Sequence, residues 1–505
     1  MNRTKKTSPK PQDHHHQRIT VLKSALLSRL LLLTLILIWR SLLSPYDTSA
    51  PLNPNCLSNT TSPPPQEQRL LWPSLASAIE SSIVWDSVYF VRIAQCGYEY
   101  EQSYAFLPLL PLCISFFSRT VFAPLVPVIG QRAVLGLSGY VINNIAFVFA
   151  AVYFYQLSVA ILKDRDAAFR ASILFCFNPA SIFYSSIYSE SLYALFSIGG
   201  LYHLRSGRNN IAVLWFALSG FARSNGVINA GYICFQTMRR TYNAVLRKST
   251  FLVVQVVVSG ALHCICIFVP VFAFQAYGYY NICVGDSPEK LRPWCKARVP
   301  LLYNYIQSHY WGVGFLRYFQ FKQLPNFLLA SPVLSLALCS FVHYAKSVPE
   351  KFFSLGFRAS IKDKNSAAVL FTPDVDLRSN LTQTRRKASS KIQDNNNTRP
   401  RKQIIREDVP TLPSENFEST ETIGYLSVFV LPSILHLGFL AATAFFVMHV
   451  QVATRFLSSS PSLYWFASYL MRSPSSRRWG YMIWAYSAAY ILLGSLLFSN
   501  FYPFT

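Results

Sequence analysis

Residues 25–43 read ALLSRLLLLTLILIWRSLL. A helix needs about 20 mostly apolar residues to cross a bilayer, and this run supplies them. A signal peptide is the rival reading, but the run is long and no small-residue cleavage site follows it. The residues before it, 1–23, are polar and basic, with Lys5, Lys6, Lys10, Arg18 and Lys23. Positive charge stays on the cytosolic side of an anchor, so the N-terminus is placed in the cytosol and residues 45–103 in a lumen.

The same pattern recurs along the chain. Apolar stretches lie at about 104–127, 134–160, 171–204, 211–238, 250–275, 325–345, 424–449 and 480–500. The first contains Pro108, Pro111 and Arg119, which favours a re-entrant or interfacial segment over a span. The stretches 171–204 and 211–238 are long for one helix, and each has a polar centre. These are Ser186-Ile187-Tyr188-Ser189-Glu190 and Arg223-Ser224-Asn225-Gly226. Each is read as two short spans that meet on the lumenal side. The basic connections Lys163 to Arg170, Arg205 to Arg208 and Arg239 to Lys248 then fall in the cytosol. The expectation is an all-α polytopic membrane protein with about ten crossings and a large first lumenal loop.

Four regions follow: a cytosolic basic tail (1–23), a membrane region (24–345) that includes the lumenal loop 45–103, an insert (346–422) and a C-terminal membrane region (423–505). The insert is rich in Lys, Arg, Asn, Ser and Asp and poor in apolar residues, a composition that reads as disordered. Its sequons at Asn380 and Asn396 are expected to be silent in the cytosol, whereas Asn59-Thr60-Thr61 in the lumenal loop is a glycosylation candidate.

Composition agrees with this picture. The 505 residues are 52% hydrophobic and 13% charged, where a soluble protein carries about 25% charged residues. The formal charge of +24 gathers in the tail, short loops and insert, which the positive-inside bias explains without nucleic acid. Most cysteines sit in apolar stretches as small hydrophobes. Cys283 and Cys295 instead flank a polar loop, NICVGDSPEKLRPWC, and are candidates for a lumenal disulfide.

Few acidic residues are placed to act in a site bounded by a membrane. Setting aside the tail, the insert and the cytosolic loop of Asp164 and Asp166 leaves the first lumenal segment, Asp286, Glu289 and Glu190. In the segment SSIVWDSVYFVRIAQCGYEYEQSYAFLPLLP, Val84, Val88 and Val91 recur at helical spacing. A short helix there puts Asp86 beside Trp85, with Tyr89 about one turn on. A carboxylate at the membrane surface can deprotonate a sugar hydroxyl while aromatics stack on the sugar; a helix cap or a salt bridge to Arg92 is the plainer role. Glu190 interrupts FNPASIFYSSIYSESLYALF, and an ionisable group in an apolar stretch marks either a functional site or a paired charge. Arg223, in FARSNGVINAG, is its natural partner and also suits a phosphate. In MHVQVATRFLSSSPSLYWFASYL, Arg455 with Tyr464 and Trp465 suits a lipid-phosphate or sugar contact, against ordinary interfacial anchoring. There is no Gly-rich phosphate loop, no HExxH and no obvious Asp-x-Asp for a nucleotide-sugar metal site, since Asp164-Arg165-Asp166 and Asp374-Val375-Asp376 fall in stretches assigned to the cytosol. A lipid-linked donor is compatible with that.

Taken in order, WDSVYFVRIAQCGYEYEQSYAFLPLLPL, FNPASIFYSSIYSESLYALF, FARSNG and HVQVATRFLSSSPSLYWF resemble the family of the second mannosyltransferase of glycosylphosphatidylinositol (GPI) anchor assembly. The matching blocks run from about residue 80 to the C-terminus, and the insert matches nothing in that family. Where family members often carry a Phe-Pro-Gly-Phe-Pro-like stretch, this chain has Leu107-Pro108-Leu109-Leu110-Pro111. The resemblance implies a C-type membrane glycosyltransferase fold in the endoplasmic reticulum membrane. Its implied donor is dolichyl phosphate mannose, and its acceptor a mannosylated GPI lipid precursor. The implied product has an α-1,6 bond formed with inversion. Carried onto this sequence, Asp86 is the candidate base and Trp85 shapes the sugar pocket. Arg223 and Arg455 are candidates for the donor phosphate, Glu190 for orienting the acceptor or Arg223, and Asn225 and Trp465 for substrate contact. No metal ligands are assigned, and metal dependence and an accessory membrane subunit are left open.

Two other classes remain at this level. Another dolichyl-phosphate-mannose enzyme would differ in product linkage. A transporter or scramblase would also have many spans and buried charges, yet has no need of a carboxylate on a lumenal loop, and the chain lacks the internal repeat such folds often show. A non-catalytic subunit of a GPI complex is the third reading.

Overall fold

The computed structural model describes residues 11–44, 46, 56–57, 70–284, 291–358, 424–472 and 477–502. Asn59, Asp286, Glu289, Asn380, Asn396 and all of the insert beyond Arg358 lie outside the described residues.

Within them every regular element is a helix. The chain starts with α1 (Pro11–Leu42), α2 (Pro73–Ser81), α3 (Asp86–Cys96), α4 (Leu109–Arg119), α5 (Val126–Ile129) and the long α6 (Gln131–Leu162). A central group follows: α7 (Arg165–Cys176), α8 (Ser181–Ser185), α9 (Glu190–Arg205), α10 (Asn209–Ala222), α11 (Ala230–Leu246) and α12 (Thr250–Cys283). The remainder is α13 (Leu302–His309), α14 (Leu324–Ser347), α15 (Pro349–Phe353), α16 (Leu431–Phe446), α17 (Ala453–Leu457), α18 (Pro461–Leu470) and α19 (Arg477–Ser499).

Among the described residues six helices are long and apolar enough to cross a membrane: α1, α6, α12, α14, α16 and α19. Counting α4 with α5 as one span makes seven. The chain is a multi-pass membrane protein with fewer full-length helices than the ten crossings expected. The two long apolar stretches account for much of the difference. They are broken into short helices at Asn178–Ser189 and at Arg223–Asn229, the polar centres seen in the sequence. The proline-rich stretch near residue 110 also fails to run straight: α4 and α5 meet at 67°. Upstream, α1 extends back to Pro11, so part of the basic tail is helical.

A charged residue inside the first apolar run explains how one break is held. Arg29 of α1 is buried. It donates to the carbonyl of Ser181 at 3.0 Å, to Ser185 Oγ at 3.0 Å and to the carbonyl of Cys176 at 3.4 Å. Its guanidinium also lies 3.8 Å from the centre of the Phe147 ring. Carbonyls at a helix end need partners, and at this depth water cannot supply them. Arg29 therefore fastens the gap between α7 and α8, and so fixes where the chain re-enters at Glu190.

The second break depends on a glycine. A β-carbon on Gly226 would collide with the backbone of Ser219 and Gly220. The turn after α10 folds back onto that helix only because residue 226 has no side chain. Gly226→Ala is expected to lower stability by about 1–3 kcal/mol, toward the upper end because backbone rather than side chain must yield. Thermal unfolding of the purified protein in detergent measures this.

Candidate active site

Both candidate carboxylates occupy the first residue of a helix, Asp86 of α3 and Glu190 of α9. A helix N-terminus carries partial positive charge, so each carboxylate is favoured where it stands. Arg223 follows the C-terminal end of α10, where a cation is favoured for the converse reason. Three helix ends thus bring charge to one place, and Arg455 on α17 completes the group.

The four side chains form a chain of ion pairs. Arg455 Nη1 lies 3.2 Å from Asp86 Oδ2 and 4.0 Å from Glu190 Oε1. Glu190 Oε1 accepts in turn from Arg223 Nη1. The Arg455 guanidinium packs over the rings of Phe183 and Tyr188, at 5.2 and 5.6 Å. Its Nε makes no hydrogen bond among the described residues.

Exposure separates the two carboxylates. The Glu190 side chain is 2% exposed and lies between two guanidiniums, whereas that of Asp86 is 37% exposed. Asp86 is the carboxylate open to the cavity. Arg92 does not compete for it, because Arg92 pairs with Glu99 at 2.6 Å.

All four residues line a cavity of about 240 Å³. Tyr89, stacked on Phe106 at 4.7 Å, forms part of one wall. Trp311, Tyr303 and Gln307 enter from the segment between α12 and α14, and His449 from the turn after α16. Tyr303 and Ser224 share a hydrogen bond of 2.7 Å between their hydroxyls. His449 stacks on Tyr318 at 4.6 Å. Burial pushes its imidazole below the ordinary value, against a hydrogen bond with the Trp311 backbone that raises it.

Trp85 has a different place from the one expected. It does not line the cavity. Its indole N–H donates to the Phe498 carbonyl at 3.1 Å, and its ring lies 5.7 Å from that of Phe501. Its backbone sits at φ 55° and ψ −133°, a region costly for any residue but glycine. The C-terminal end of α19 therefore pins a strained residue immediately before Asp86. From the other side, the Asp86 backbone N–H donates to the Tyr188 hydroxyl at 3.2 Å. Trp85 is thus held immediately beside Asp86 without lining the cavity.

Two further residues are corrected. Trp465 is 1% exposed, with its indole N–H donating to Ser158 Oγ at 2.7 Å. Its helix, α18, packs against α7 and turns this ring into the core, away from any interface. Asn225 is buried and does not line the cavity, because the turn that presents Arg223 and Ser224 outward directs the next residues inward.

Cys283 and Cys295 are joined as a disulfide. A second bridge, Cys56–Cys96, ties the start of the loop to the end of α3. Its signal in the sequence was that both cysteines lie outside the apolar runs, within 45–103. Among the described residues one grouping has metal-ligand character, Cys56, Cys96 and Glu99, and it consists of that disulfide and a carboxylate already paired with Arg92.

A family model described as Mannosyltransferase (PIG-V) matches residues 18–505. The chain belongs to this family. The match spans every element that builds the cavity, from α3 to α17. Among its PIG-V relatives, the GPI alpha-1,6-mannosyltransferase 2 of Cricetulus griseus is 30% identical over 77% of this chain and 73% of its own length. The Homo sapiens protein of the same name is 30% identical over 77% of this chain and 72% of its own. The GPI mannosyltransferase 2 of Drosophila melanogaster is 27% identical over 83% and 86%. No solved structure matches the chain significantly. As a PIG-V mannosyltransferase it is a glycosyltransferase that uses a mannose donor and a GPI acceptor.

Proposed function

We propose that this chain transfers the second mannose, in α-1,6 linkage, from dolichyl phosphate mannose to a mannosylated GPI precursor in the lumen of the endoplasmic reticulum. The observation that carries the reading is one accessible carboxylate, Asp86, set in a cavity with two arginines and a second, sequestered carboxylate.

The chemistry needed is a single in-line displacement, since a β-linked donor gives an α-linked product. The acceptor hydroxyl oxygen attacks the anomeric carbon as Asp86 takes its proton. The bond from that carbon to the phosphate oxygen breaks, and dolichyl phosphate leaves with the electron pair. A phosphate is already a good leaving group and needs charge stabilisation, not protonation. Arg455 and Arg223 supply it in a partly buried setting where guanidinium–phosphate contacts are strong.

The pairing of Asp86 with Arg455 has a consequence for this step. A donor phosphate that engages Arg455 competes with Asp86 for it and so frees the base as the leaving group is seated. Glu190 remains between the arginines as their spacer.

Expression in cells that lack the second GPI mannosyltransferase tests the reading. Restored surface GPI-anchored proteins, with loss of the accumulated one-mannose lipid, is the expected outcome. No rescue by a well-expressed chain sinks the assignment.

A further inference from the structure

A second and larger concavity, about 830 Å³, lies between α3, α4, α10 and α12. It is separated from the ion-pair cavity by a thin wall. Phe106 and Leu107 face the cavity while Pro108 faces the groove, and Phe221 lines the groove immediately before Ala222 and Arg223 on the cavity side. On α10 the groove is lined by Leu214, Ala217, Leu218 and Phe221, one face of the helix at helical spacing. That face runs about 10 Å from Phe221 to Leu214, into the apolar part of the bundle. Opposite stands α12 around Pro270 and Tyr277. The groove opens outward, since Leu214 is 59% and Tyr277 48% exposed, and α12 is the least buried of the candidate spans. In a bilayer this is a side entrance for lipid.

The rim carries one guanidinium. Arg119, the last residue of α4, lines the groove, is exposed and makes no ion pair among the described residues. From Leu109, beside the shared wall, to Arg119 the helix advances about 15 Å. We propose that this groove binds the phospholipid moiety of the acceptor, its chains against α10 and α12 and its phosphate against Arg119; this rests on the function proposed above.

The choice between the two lipid substrates follows from where each keeps its phosphate. In the donor the phosphate is bonded to the mannose that moves, so it must sit in the cavity with Arg455 and Arg223. In the acceptor the phosphate is separated from the reacting hydroxyl by the inositol and the sugars that follow it. A cation set well away from the reacting centre, at the mouth of an apolar groove, matches the acceptor. Pockets of this size bury a ligand well when apolar walls end in a few polar groups.

The test is a kinetic comparison of full-length wild type, Arg119→Glu, Arg119→Lys and Leu218→Trp, varying mannosylated GPI lipid at fixed dolichyl phosphate mannose and then the reverse. The expected result is a KM for the acceptor raised about tenfold in Arg119→Glu and Leu218→Trp, as for the loss of one charge-assisted contact. Arg119→Lys should stay near wild type, and donor KM and kcat should be unchanged in all. Unchanged kcat reports that each variant is folded, and Arg119→Glu, at an exposed site, serves if Leu218→Trp is not. Vesicles of phosphatidylinositol should compete with the acceptor in wild type and less in Arg119→Glu. A raised donor KM instead would assign the groove to the dolichyl chain, and no change in either KM would leave it to bulk lipid; both overturn the proposal. A wild type that transfers no mannose to the acceptor is a different failure, that of the function itself.

Discussion

Asp86→Asn is expected to lower mannose transfer by about 10²–10⁴-fold, the usual contribution of a positioned general base. The substitution keeps size and keeps a group able to stand at the N-terminus of α3, so folding should be retained. Asp86 is also the more exposed carboxylate of the pair, at 37% against 2% for Glu190, and little stability rests on its contact with Arg455. The signature of a base is a fall in kcat with donor and acceptor KM little changed. In cells it would appear as persistent one-mannose lipid at normal protein abundance. An Asp86→Asn enzyme with near wild-type kcat would remove Asp86 from the chemistry.

Glu190→Gln should show the opposite profile. Glu190 is buried between Arg223 and Arg455. Removing its charge leaves the partly buried Arg223 without its carboxylate, while Arg455 keeps Asp86. Breaking a buried pair on one side costs about 3–5 kcal/mol, most of it the penalty of the partner left uncompensated. Stability should fall by that order, with a lowered unfolding temperature and reduced abundance. The double variant Glu190→Gln/Arg223→Met should recover part of the loss, since the orphaned charge is gone, and a thermodynamic cycle over the four proteins measures the coupling. If Glu190→Gln is as stable as wild type yet inactive, Glu190 acts on substrate and the spacer role assigned to it is wrong.

The reach of the sequence differs from one part of the site to another. Asp86, Glu190 and Arg223 were legible because each is a charge that an apolar environment must justify, and such residues are few. Arg455 was legible for the same reason, although nothing in the chain placed it against Asp86, which is 369 residues away. Trp85 and Trp465 both pack in places other than those expected, and neither lines the cavity. An aromatic beside a charge looks like a sugar platform, but a Trp in this chain has many rings and carbonyls on which to pack. The indole N–H of each found a partner elsewhere, at Phe498 and at Ser158. Tyr303, Gln307 and Trp311 carried no local signal at all, lying in a connection with neither strong periodicity nor unusual charge.

Local chemistry settled the membrane-spanning, all-helical character of the chain and the positions of its breaks. Run length, proline and buried charge act over a few turns of helix, and those turns are contiguous in sequence. The number of full-length spans, the joining of α3, α9, α10 and α17 around one cavity, and the difference in exposure between Asp86 and Glu190 were decided by packing. Whether a carboxylate is a reachable base or a sealed spacer depends on which helix ends arrive beside it, and that is fixed by contacts hundreds of residues apart.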